Sequence, residues 1–102
     1  MKIPNEIPVL GSVYKVEIDE KIEKSGAEGL TLLGKQVIKI SPKVLEVRGA
    51  AKRTLWHELG HAFLTESGLY EILDDHAQEM FCQNFAAFVI QTTGGNFKKN
   101  IV

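Results

Sequence analysis

The hydrophobic rhythm of the chain changes near its middle. Val13-Tyr14-Lys15-Val16-Glu17-Ile18 largely alternates apolar and polar residues, which predicts a strand with one covered face. Residues 22–29 are polar and broken by glycines, so a loop is expected there. Two mainly apolar runs follow, residues 30–33 and 36–40, the second rich in β-branched side chains. Gly34-Lys35 between them reads as a tight hairpin. From Ala50 onward the period becomes helical: Leu55, Leu59, Ala62 and Phe63 form one stripe, and Gly68 is placed to end the helix. Ser41-Pro42 has the form of an N-cap with a first-turn proline, while Gly49 leaves the helix start open. A second helix is expected to begin between Leu69 and Asp74 and to end near Gln91, ahead of Gly94-Gly95. Phe81, Phe85, Ala86, Phe88 and Val89 are expected on its buried side, and Met80 in the core. Strands followed by helices predict one α+β domain over residues 1–102. A small N-terminal antiparallel or mixed sheet of about three strands would pack on two helices.

Composition narrows the function classes. With 12 basic and 13 acidic residues and a net charge of -1, no nucleic-acid partner and no membrane-surface partner is expected. The longest clearly apolar run, residues 85–90, is too short to span a bilayer, and the first residues lack the apolar stretch of a signal peptide. The single cysteine, Cys82, cannot form an internal disulfide and reads as a small buried apolar residue. A cytoplasmic location is the default expectation.

The first helix carries the chemistry. His57-Glu58-Leu59-Gly60-His61 is an H-E-x-x-H pattern. Residues four apart share a helix face, so the two imidazoles can hold one metal ion, and zinc suits them. Glu58 lies beside the pair, placed to take a proton from a zinc-bound water and hand it to a leaving amine. Gly60 removes bulk between the histidines, where a sheet or substrate could come close.

A catalytic zinc takes three protein ligands. A third histidine six residues after His61 is excluded, because Ser67 stands there and Leu64 stands where a glycine is needed. The second helix offers Asp74, Asp75, His76 and Glu79. Glu79 lies two turns before Ala86 and shares its face, which would turn the carboxylate inward, where it needs a partner.

H-E-L-G-H, followed by E-x-x-x-x-x-F-A-A on the next helix, resembles the gluzincins. It is most similar to the ImmA/IrrE-type metallopeptidases and the single-domain minigluzincins. The likeness covers residues 54–89. It implies a zincin-like fold with an active-site helix and a glutamate helix. It also implies one zinc held by His57, His61 and Glu79, with Glu58 as general base and acid. The ImmA/IrrE pattern E-x-E-A-[ND] is altered here: Phe81, Cys82 and Gln83 follow Glu79 and Met80. Gln83 occupies the position from which the family's Asp or Asn orients a zinc-bound histidine.

Other residues have two readings. His76 is a transition-state donor or neighbour of the zinc ligands, or a surface histidine, the plainer choice. Tyr70 is a phenol near the metal or a packing residue, with packing favoured. The strand over residues 28–33 is a candidate for the cleft rim; a peptide or protein substrate would be expected to pair with an exposed edge, and which strand provides it stays open. The tail, residues 96–102, is either disordered or folded into its own or a neighbour's cleft. The second option, implied by the minigluzincins, would make the enzyme latent and build a homo-oligomer. The expected activity is therefore peptide hydrolysis by a minimal zinc metallopeptidase. The alternative expectation is a zinc-stapled module that binds peptides without cutting them.

Overall fold

The computed structural model describes residues 3–97. It is a four-stranded mixed sheet followed by two long helices. The strands are β1 (Glu6–Val9), β2 (Ser12–Ile18), β3 (Gly29–Leu32) and β4 (Val37–Ile40), in the spatial order β1-β2-β4-β3. β1 and β2 form an antiparallel hairpin, β2 and β4 run parallel, and β4 pairs antiparallel with β3. The helices are α1 (Glu20–Lys24), α2 (Ala50–Ser67) and α3 (Asp75–Thr93).

Four elements differ from the sequence expectation. β1 makes a fourth strand, joined to β2 by Leu10-Gly11, both with positive φ, as a two-residue hairpin turn demands. Its Pro8 is tolerated because β1 is an edge strand. The expected loop over residues 22–29 begins inside α1, which Asp19 caps by accepting a hydrogen bond from the Lys21 N–H at 2.8 Å. The hairpin between β3 and β4 exists, but its turn is a 3-10 helix over Leu33–Lys35 followed by Gln36 in the left-handed region. Ser41 and Pro42 open a separate 3-10 segment, Pro42–Glu46, and α2 starts afresh after Gly49.

One face of the sheet is covered. Ile7, Val9, Tyr14, Val16, Ile38 and Ile40 are buried, while Val13 on the alternate face is exposed, as is Ile18 at the end of β2. Leu55, Leu59 and Ala62 of α2 pack onto this face, each large aliphatic contributing about 1.5–3 kcal/mol. Two polar ties set the roll of α2. At its C-terminal end, Glu66 accepts hydrogen bonds from Ser12 Oγ at 2.6 Å and Tyr14 Oη at 2.7 Å. These bonds hold the Glu66 carboxyl below its usual range, and burial, with the neighbouring carboxylate, pushes the Tyr14 phenol up. Toward its N-terminal end, Trp56 donates its indole N–H to Gly95 O at 2.7 Å and stacks on Phe97. Asn96 is tied to Lys52 in the same place. The rest of the tail considered above, residues 98–102, lies outside the described residues.

α3 buries a narrower line than expected. Gln78, Cys82 and Ala86 face inward, one turn apart. Phe81 and Phe85 flank this line and stack with each other and with Phe63. Phe88 is 65% exposed and Met80 48%, contrary to the core expectation, because both project from the opposite side of the helix. No helix among the described residues is long and apolar enough to cross a membrane.

Candidate metal centre

α2 and α3 cross where neither has bulk. A Cβ on Gly60 would stand 3.0 Å from the Cys82 Sγ and 3.1 Å from the Cys82 Cα. Gly60 therefore admits α3, rather than the sheet or substrate expected from the sequence. This crossing brings the next turns of the two helices together. His57 Nε2 lies 3.3 Å from one Glu79 oxygen and His61 Nε2 lies 3.1 Å from the other. The three residues each offer a donor atom within 4.8 Å of the others, the only such group of three among the described residues. A tetrahedral ion about 2.0–2.1 Å from each donor would want separations of roughly 3.3 Å. Two imidazole nitrogens and a carboxylate gathered within 4.8 Å are a donor set of the kind zinc takes. Cys82, beside the crossing, adds no thiolate: burial first, then the Glu79 and Glu58 carboxylates, push its thiol up to about 12.

The exposure of Glu79 corrects the sequence expectation. Glu79 was expected to point inward, yet its side chain is 52% exposed. Both histidines still reach it, one at each carboxylate oxygen. Glu58 is the buried one, at 8% exposure. Its backing is β3. Thr31 Oγ1 donates to Glu58 Oε1 at 2.6 Å, and a Cβ on Gly29 would fall 3.0 Å from Glu58 Cγ and 2.7 Å from Thr54 Cγ2. Glycine at 29 thus lets the strand lie against α2 at the level of the carboxylate. Glu58 joins no ion pair among the described residues.

The remaining candidates fall elsewhere. Asp74 caps α3, its Oδ1 accepting from the Ala77 N–H at 2.8 Å, and Asp75 follows in the first turn. His76 is exposed and lies outside the donor group. Tyr70 is 36% exposed in the short 3-10 connection, which corrects the packing expectation. Gln83 is exposed and lines the cleft beside His57. Its amide is not among the hydrogen-bond partners of the described histidine side chains.

None of the protein-family models, curated proteins or solved structures compared with this chain matches it. The chemistry of the centre therefore rests on its own residues.

Two positioning residues escaped the sequence reading. Gln78 donates its amide to Tyr70 O and Leu73 O, each at 3.0 Å, and so fastens the connection that launches α3 toward the histidines. Its signal was a polar residue in register with Cys82 and Ala86. Thr31 was hidden inside the apolar run of residues 30–33. Only its alternation with Gly29 marked the face turned to α2.

Proposed function

We propose that this chain is a minimal zinc-dependent peptidase. His57, His61 and Glu79 would hold the metal. The observation that carries the reading is the combination of this donor group with a buried Glu58 carboxylate that joins no ion pair among the described residues. A purely structural metal site has no use for such a group, and burying one is costly. When bound, zinc lowers the pKa of a coordinated water and polarises a carbonyl.

The protein's own residues then divide the work. Thr31 occupies Glu58 Oε1, leaving Oε2 to accept a proton from the attacking water and to deliver it to the leaving amine. β3 is an edge strand, so an extended substrate can pair with it. Glu28 O accepts from Ser41 N at 2.8 Å across the β3–β4 ladder. Alternation in an antiparallel ladder then turns the main-chain groups of Gly29 and Thr31 to the open edge. The strand would thus offer hydrogen bonds at the residues that back Glu58, placing a scissile carbonyl beside it.

The test is metal analysis joined to cleavage of a mixed peptide library by the purified protein. One equivalent of zinc, lost in Glu79→Ala, is expected. Glu58→Gln should keep the zinc and abolish cleavage. Absence of stoichiometric zinc would refute the metal centre. Zinc with cleavage unaffected by Glu58→Gln would refute the catalytic role and leave a zinc-stapled binding module.

A further inference from the structure

The cleft beside the centre is asymmetric. A cavity of about 700 Å³ begins at His57 and Glu58 and runs between the N-terminal half of α2 and the C-terminal half of α3. His61 and Glu79 do not line it, so it extends to one side of the metal donors only. Its floor is Ala86, Ala87 and Ile90, which provide an apolar surface with little bulk. Gly29 keeps the β3 side open. Arg53 stands at the far end.

Arg53 is exposed and joins no ion pair among the described residues. Glu28 lines the same cleft but forms no ion pair with it. The guanidinium folds back along α2: its Nη1 lies 3.5 Å from where a Cβ on Gly49 would stand. A free cation thus stands about one turn of α2 from the metal donors, over a trough floored by small apolar residues and flanked by the Gln83 and Gln91 amides. That pattern is complementary to a ligand with an apolar body and an anionic end.

Strand polarity tells which part of a peptide would lie there. Gly29 packs against both Thr54 and Glu58, and Thr31 against Glu58, so β3 runs in the same direction as α2. A peptide added antiparallel to β3, the commoner pairing, travels from the His61 side toward Arg53. The portion beyond the cleaved bond, on the leaving-amine side, therefore fills the trough. From His57 back to Gly49 is about 12 Å at a rise of 1.5 Å per residue. Extended chain covers that span in roughly three to four residues.

We infer that the cleft selects peptides carrying a carboxylate about three residues beyond the cleaved bond, with Arg53 as the specificity-determining residue. The carboxylate has two sources, an acidic side chain or the C-terminus of a short leaving fragment. The inference rests on the peptidase reading, and its test separates the two.

Zinc-loaded full-length protein is assayed on quenched fluorescent peptides that share one acyl half. Their leaving halves carry Glu, Gln or Lys at the third position, each with a free or an amidated C-terminus. Binding of the same peptides to zinc-loaded Glu58→Gln is followed by anisotropy, so the subsite is read even where nothing is cut. The expected result is about tenfold preference for Glu over Gln, or for the free over the amidated terminus, in kcat/KM and in affinity. Arg53→Gln should erase the preference, and Arg53→Glu should shift it to Lys. Whichever pair of peptides differs identifies the source of the carboxylate. Equal binding of acidic and neutral peptides, or a preference that survives Arg53→Gln, overturns the inference. Absence of cleavage with Arg53-dependent binding intact would refute the peptidase reading alone.

Discussion

Replacing Gly60 by alanine sets two opposing effects against each other. Helix propensity favours alanine over glycine by about 0.8–1 kcal/mol in a helix interior. Packing opposes it. The new methyl would stand 3.0 Å from Cys82 Sγ, 3.1 Å from its Cα and 3.2 Å from its Cβ. The second of these atoms belongs to the backbone, so no rotamer change relieves the crowding, and α3 must move by a few tenths of an ångström. Overpacking of a well-filled interior typically costs about 1–3 kcal/mol. The net expectation is a loss of about 1 kcal/mol, or roughly 4–8 °C in the melting temperature of a domain near this size. Movement of α3 also displaces Glu79, one turn before Cys82, from the histidines. Zinc affinity should therefore fall about tenfold, near the lower end of what disturbed ligand support costs. Circular dichroism melts in chelator measure the first effect, and competitive zinc titration the second. Gly34→Ala is the control, since a Cβ there meets nothing within 4 Å. A Gly60→Ala protein that melts higher than the parent and binds zinc equally well would refute the crossing-point account.

Three further outcomes follow from other parts of the molecule. Thr31→Val should lower kcat about tenfold or more with little change in KM or zinc content, and Thr31→Ser should restore it, because the hydroxyl at 2.6 Å holds the Glu58 carboxylate; steady-state kinetics decide. Tyr14→Phe should melt lower than the parent at neutral pH. Glu66 has a lowered folded pKa, so its contribution is present above its ordinary value of 4.5 and is lost as the pH falls through the folded value. The gap between variant and parent should thus close in melts taken progressively below about pH 4.5, and a gap independent of pH would count against the Tyr14–Glu66 tie. Cys82, fully buried with its thiol pushed up to about 12, should resist a thiol-specific disulfide reagent at pH 8 until the protein unfolds; rapid labelling of the native protein would contradict that burial.

Much of the architecture is legible in local pattern. The change of hydrophobic period near Ala50 marks the switch from strands to helices, because side-chain direction repeats every two residues in one and every 3.6 in the other. The same geometry places His57 and His61 on one face before any tertiary interaction exists. Capping chemistry sets the ends of the helices, with Gly68 closing α2 and Asp74 opening α3. β1 and α1 were harder to read, since each is only four or five residues long.

Tertiary structure decided what those faces meet. Glu79 reaches both histidines only because Gly60 and Cys82 let the helices cross closely, and that approach also leaves Glu79 half open to solvent. The α3 pattern alone did not separate the buried line of Gln78, Cys82 and Ala86 from the solvent-facing Phe88. A helix buries the stripe its neighbours cover, and hydrophobicity by itself does not name the neighbour. The parallel pairing of β2 with β4 likewise depends on a connection through α1 and β3, and it puts β3 at the edge against Glu58. The sequence by itself determined the switch from strands to two long helices and the two-histidine face, both set by local periodicity. The third donor's position, the backing of Glu58 by Thr31 and the trough ending at Arg53 were decided by the packing of segments far apart in the chain.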